Sequence, residues 1–188
     1  NPGTTEMHIV DALSGIGGVR TVLGLHENVV TGAADGYARM ARRPAMTLLH
    51  LGPGLANGLA NLHNAKRASS PILNVIGTMA TWHAAADAPL KMDVGALAQT
   101  VACWTGLPAS PDLLDAFARE AIARVRAFAL PGGSRIATLL LPHDLQWQVC
   151  SHSVADQKPS PVAPANEGGA GAMQRRRKAW IRARRGMG

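Results

Sequence analysis

Three short stretches of the chain are almost continuously apolar: "AMTLLHL" (45–51), "PILNVIGT" (71–78) and "RIATLLLP" (135–142). Runs of this length, opened by Pro44, by Pro71 and by the Gly132-Gly133 turn, predict strands buried on both faces. "RTVLGL" (20–25) has the same character and predicts a further strand. Between the runs, apolar residues recur every three to four positions. That spacing predicts helices over 27–42, 55–68, 93–103 and 111–128. "NPGTTEMHIVDAL" opens on a Pro-Gly turn and predicts a helix capped by Thr4 or Thr5. Residues 79–92, with Trp82, His83 and Pro89, fit neither period and read as irregular chain.

Strands alternating with helices define an α/β fold, a doubly wound and mostly parallel sheet with helices on both faces. A βα turn should follow a strand. The turn at Asn1-Pro2-Gly3 has none before it, so a leading strand and helix are expected to be missing here. Residues 1–150 form the expected domain, and 151–188 a Pro/Gly/Arg-rich linker or tail.

Composition refines this picture in two places. Of 188 residues, 47% are hydrophobic but only 4% aromatic, so the core must pack through Ala, Leu, Val, Met and Gly. The net charge of +7 is uneven: residues 1–150 hold 11 basic against 10 acidic residues, and 151–188 hold 8 against 2. A nearly neutral domain argues against a nucleic-acid partner, leaving a basic-tailed nucleic-acid binder as the weaker alternative. No apolar run reaches the roughly 18 residues of a membrane span. Two cysteines form no framework or metal spacing, and a cytoplasmic location is expected.

Candidate chemistry gathers where strands are expected to end. Ligands of open α/β sheets bind beyond the carboxyl ends of strands. Thr4, Glu27 and His50 all stand at such places, each also readable as an ordinary cap, helix-dipole partner or core histidine. "LHLGPGLANG" (49–58) sets Gly52, Pro53, Gly54 and Gly58 at a strand-to-helix turn, a setting that can cradle phosphate. Pro53 removes an N–H, and the next strand ends "VIGTMA" without an acid for a ribose hydroxyl. Both features argue against a dinucleotide. "HEN" (26–28) resembles the start of a zinc motif, but Val30 stands where the second His is required, and no metal ligand is assigned.

"NPGTTEMHIVDAL", "LHENVVTGAADGYARMARRPA" and "LLHLGPGLANGLANLHNAKRASSPIL" resemble the pyrimidine-binding domain of thiamine-diphosphate-dependent enzymes, in the acetolactate synthase and benzoylformate decarboxylase group. The likeness runs over about residues 1–148. It implies a 2-keto acid decarboxylase or carboligase in which Glu27 hydrogen-bonds N1′ of the cofactor's aminopyrimidine and so assists loss of the thiazolium C2 proton. It implies a raised pKa for Glu27 in an apolar pocket. Gly52, Pro53, Gly54 and Asn57 are implied as further cofactor contacts. His50 and Thr4 are implied at the substrate, His50 with a catalytic part.

The family's Gly-Asp-Gly segment and downstream Asn, which hold Mg²⁺ and the diphosphate, have no counterpart here. The resemblance therefore implies half of a site, completed by a pyrophosphate-binding domain or subunit in a homo- or hetero-oligomer. The alternative is a non-catalytic fragment or regulatory subunit that keeps only the dimerising surface.

Removal of residues 151–188 should leave the thermal midpoint of the domain nearly unchanged, because that segment lacks apolar periodicity. Calorimetry of both chains checks this. A fall of more than about 10 °C, several kcal/mol at this size, would show that the tail contributes to the core.

Overall fold

In a computed structural model, residues 1–127 and 133–151 are described, and they belong to one compact unit spanning Asn1–His152. Gly132 and the expected tail beyond Ser151 lie outside the described residues. The elements run in order α1 (Met7–Gly15), α2 (Glu27–Ala41), β1 (Ala45–His50), α3 (Leu51–Arg67), β2 (Ile72–Thr78), α4 (Val94–Gln99), β3 (Trp104–Gly106), α5 (Leu114–Arg126) and β4 (Ile136–Pro142). A 3-10 turn, Thr4–Glu6, leads into α1, and another, His143–Gln146, follows β4.

The four strands form one sheet in the order β1-β2-β4-β3, with every pairing parallel. The three continuously apolar runs are strands as expected; β4 is buried along its whole length, whereas β1, at the sheet edge, leaves Met46 exposed and is not covered on both faces. One sheet face, through Ala45, Leu49, Ile72, Ile76, Ile136 and Leu140, packs on Ala34 and Ala38 of α2, Leu55 and Leu62 of α3 and Ala98 of α4. On the other face Ala137 meets Ala121 and Val125 of α5, flanked by Leu73 and Trp104. Helices therefore cover both faces, as the sequence predicts.

A row of polar side chains crosses this apolar sheet. Thr47, Asn74, Thr138 and Thr105 occupy matching register positions on β1, β2, β4 and β3. Thr47 Oγ1 donates to Asn74 Oδ1 at 2.5 Å. A slip of one residue in any strand would send its member of the row to the opposite face, so the row marks the register.

Four local expectations are corrected. Residues 20–25 are not a strand: among the described residues no sheet edge pairs with them, and Val22, Leu23 and Leu25 remain exposed, Leu25 at 91%. Apolar character alone does not make a strand without a neighbour to bond. Neither Thr4 nor Thr5 caps the first helix, since the Gly3 N–H is instead bonded by the Glu6 carboxylate at 2.6 Å. The helix expected at 55–68 begins four residues earlier, at Leu51, so Gly52-Pro53-Gly54 is the first turn of α3 rather than a loop. Pro53 is tolerated there because the first four N–H groups of a helix have no acceptor within it. The helix expected at 93–103 stops at Gln99, and the short edge strand β3 follows.

The irregular stretch after β2 is anchored by an acid beyond β4. Buried Asp144 accepts from Thr81 N at 2.9 Å and from Thr81 Oγ1 at 2.6 Å. Burial raises its pKa, but the Thr81 and nearby backbone donors outweigh burial and hold it below the ordinary 3.8. A depressed folded-state pKa contributes stability above the unfolded value that is lost as pH falls through the folded one. Asp144→Asn should therefore cost about 2 kcal/mol at pH 7, and the gap from the unsubstituted protein should narrow from about pH 4 downward. Urea titrations at pH 7 and pH 3 measure it, and a gap equally wide at both would contradict the assignment.

Candidate functional site

The β1-to-α3 junction has no loop. His50 is the last residue of β1 and the N-cap of α3, and Leu51 turns the chain with φ +51°. A left-handed conformation costs a residue with a Cβ about 1–2 kcal/mol. Leu51 is buried, and that burial helps hold the turn in place. The junction sets the His50 ring and the N-terminus of α3 side by side at the carboxyl end of the sheet.

Glu27 arrives from α2. It is the first helical residue, after the N-cap His26, whose Nδ1 accepts the Asn28 N–H at 3.1 Å. Glu27 is 8% exposed, and its Oε2 accepts from Asn57 Nδ2 of α3 at 3.1 Å. The two helices approach through small residues. Thr31 Oγ1 donates to Gly58 O and to Glu27 O, each at 3.0 Å, and a Cβ on Gly58 would stand 2.7 Å from the Thr31 methyl. One turn earlier, a Cβ on Gly54 would lie 3.4 Å from Glu27 Oε1 and 3.5 Å from His50 Cβ. Glu27 and His50 thus border the same glycine.

The electrostatics of Glu27 correct the expectation of a raised pKa. Desolvation is the largest single influence and does raise it. The backbone donor, Asn57, His26 and Asn1 together prevail, and the carboxyl sits below 4.5. The sequence displayed the charge-poor flank of Glu27. It did not display donors brought from α3, 30 residues away.

Beside this pair lies a second buried acid that the sequence analysis did not single out. Glu6 is fully buried, and its Oε2 lies 2.9 Å from His50 Nδ1. Thr5 Oγ1 bonds Glu6 Oε1 and lies 3.1 Å from the same His50 nitrogen. Two glycines make the room: a Cβ on Gly3 would run into the His50 ring, and one on Gly77 into the Glu6 carboxylate. The sequence signal was present but ordinary, an acid in the first turn after a Pro-Gly turn, which reads as a helix-dipole partner.

The other expected residues divide. Asn57 and Gly54 join the Glu27 pocket. Gly52 is buried at the start of α3, where a Cβ would meet Met92 from the irregular stretch at 2.5 Å. Pro53 is half-buried in that first turn. Thr4 is exposed, and its neighbour Thr5 is the threonine that reaches His50. Among the described residues no three His, Cys, Asp or Glu side chains are grouped to hold a metal ion, and no helix is long and apolar enough to cross a membrane.

Comparison with known proteins agrees with this fold. The family model for the thiamine pyrophosphate enzyme N-terminal TPP binding domain matches residues 1–101. A protein of Mycobacterium tuberculosis named as an acetolactate synthase large subunit is 52% identical over 155 residues, covering 82% of this chain and 29% of its own length. The benzoylformate decarboxylase of Pseudomonas aeruginosa is 34% identical over 110 residues, 58% of this chain and 20% of that protein. The crystal structure of benzoylformate decarboxylase from Polynucleobacter necessarius superposes with a TM-score of 0.69 at 26% identity, over 85% of this chain and 29% of that one. The chain thus spans less than a third of the length of these relatives. With the parallel sheet and the matched sequence in agreement, the chain belongs to the thiamine pyrophosphate enzymes and carries their N-terminal TPP-binding domain.

Proposed function

We propose that residues 1–150 form the pyrimidine-binding half of a thiamine-diphosphate-dependent 2-keto acid decarboxylase or carboligase. Residues 151–188 are a linker or tail in this reading. The observation that carries the proposal is the shared border at Gly54, which the Glu27 carboxylate approaches from α2 and the His50 Cβ from the end of β1. The residues fit the pyrimidine end of the cofactor: a buried carboxylate can bind a protonatable ring nitrogen, and Asn57 orients that carboxylate from behind. The chemistry supplied by the bound cofactor is a thiazolium carbon that adds to the keto group and takes up the electrons released on decarboxylation.

The work of this chain is to hold protons and exclude water. Glu27, kept anionic at neutral pH by its donors, is ready to bind a protonated ring nitrogen by a charge-assisted hydrogen bond. Leu51 and Leu55 are buried in the first turns of α3, the helix that supplies Gly54 and Asn57. Gly52, Pro53 and Gly54 complete the wall at the start of α3. His50 faces substrate oxygen as a proton donor or acceptor, with Thr4 at the rim.

The diphosphate and Mg²⁺ are assigned to a pyrophosphate-binding domain or subunit in a homo- or hetero-oligomer. The relatives, several times longer than this chain, support that assignment. A cytoplasmic setting, in keeping with two exposed free thiols, belongs to the same reading.

Glu27→Gln keeps the shape of the side chain and removes its proton-sharing carboxyl. In the assembled enzyme, C2–H exchange of the bound cofactor should slow by at least about 100-fold, with the fold retained. Deuterium exchange followed by proton NMR measures this, and exchange at the unsubstituted rate removes the assigned role.

The isolated chain should bind thiamine diphosphate only at millimolar concentration, about 4 kcal/mol, and should not decarboxylate pyruvate or benzoylformate. Titration calorimetry with Mg²⁺ present decides it. Micromolar, Mg²⁺-dependent binding would mean that this chain holds a diphosphate site of its own.

A further inference from the structure

The mechanism above uses Glu27 and leaves the buried carboxylate of Glu6 without a task. Glu6 is fully buried, yet among the described residues it is not paired with Lys or Arg. Its partners are the Gly3 N–H at 2.6 Å, the Thr5 hydroxyl and the imidazole of His50 at 2.9 Å. Burying a carboxylate is costly unless donors surround it. Three donors converge here, and one of them belongs to the residue assigned to the substrate.

The surroundings are built around this contact. Gly77, at the carboxyl end of β2, leaves the space that the Glu6 carboxylate fills, and Gly3 leaves the space beside the ring. The strained turn at Leu51 fixes where the ring begins. Mobile surface pairs need none of this.

The two ring nitrogens have different surroundings. Nδ1 faces Glu6 and Thr5. Nε2 makes no hydrogen bond among the described residues, and the side chain keeps 22% of its surface exposed. A carboxylate only accepts, so the nitrogen facing it must carry the proton. Thr5 Oγ1 gives its own hydrogen to Glu6 and can only accept from the ring, which demands the same arrangement.

We propose that Glu6 is a positioning residue that locks His50 in the Nδ1–H form and so presents the bare Nε2 lone pair to the crevice as the proton acceptor. A carboxylate behind an imidazole fixes the tautomer and stabilises the cation formed when Nε2 takes a proton. The proton taken at Nε2 comes from a substrate hydroxyl or carboxyl oxygen and returns by the same nitrogen, so nothing is oxidised or reduced. The ligand class is an oxygen acid or alcohol facing Nε2, in keeping with a 2-keto acid and its hydroxylated product. The substrate part of this proposal rests on the reading of His50 given above. The tautomer does not.

The test is a two-bond proton–nitrogen correlation spectrum of the ¹⁵N-labelled 188-residue chain, recorded where raising the pH changes the ring signals no further. His50→Asn identifies the His50 signals among the seven histidines. In the unsubstituted chain the Nδ1–H form should exceed the Nε2–H form by at least about tenfold. Glu6→Gln should reduce that ratio at least about fivefold while leaving the amide fingerprint folded, and Thr5→Val should leave the Nδ1–H form dominant.

An Nε2–H form, or an even mixture, in the unsubstituted chain overturns the proposal, and this holds even where Glu6→Gln fails to fold. A ratio unmoved by Glu6→Gln, or abolished by Thr5→Val, also overturns it. The spectrum needs no cofactor. Failure of the cofactor reading, seen as unchanged C2–H exchange in Glu27→Gln, is therefore distinguishable from failure of this one.

Discussion

The close approach of α2 to α3 is the constraint on which the site depends. Thr31 bonds the carbonyl of Gly58, and its methyl occupies the place a Cβ at that position would need. Next to it, a Cβ on Gly32 would stand 2.8 Å from the amide nitrogen of Asn61. Packed helices stand about 8–10 Å apart, the distance set by the side chains at the contact. Small residues bring these two together, and the register of that contact places Glu27 against Gly54 and Asn57. An alanine-rich, aromatic-poor core is what permits the arrangement. Ala34, Ala38 and Ala65 fill the layer between helices and sheet without pushing them apart.

The site holds two buried acids with opposite surroundings. Glu27 borders a glycine and looks toward the position proposed for a ring nitrogen. Its donors come from α3, from its own helix start and from Asn1. Glu6 is closed in by Gly3, Thr5, His50 and Gly77. Both carboxylates sit at the carboxyl end of the sheet, where helix N-termini and unpaired backbone N–H groups favour negative charge. The same end carries Asp144, which anchors the irregular stretch at Thr81. Three acids thus tie down the segments that leave β1, β2 and β4, and the polar row across the sheet marks the register in which they do so.

The sequence by itself determined the class of fold and the location of its chemistry. Continuous apolar runs gave β1, β2 and β4, although only β4 is buried along its whole length and the edge strand β1 leaves Met46 exposed. The amphipathic segments gave α2 and α5 nearly to their ends. Glu27 and His50 were legible because each is a polar residue where an apolar pattern changes period. Their meeting was only inferred. Tertiary structure decided the rest. "RTVLGL" has a strand's composition, but a strand exists only when a neighbour accepts its hydrogen bonds, and none of the described strands does. Gly52-Pro53-Gly54 looked like a turn, but the packing of α3 on the sheet extended the helix through it. The lowered pKa of Glu27 and the task of Glu6 were invisible for one reason: each depends in part on residues the fold brings from far along the chain, Asn1 and Asn57 to Glu27 and His50 and Gly77 to Glu6. Local pattern reports what a segment prefers, and only the folded chain reports what stands opposite it.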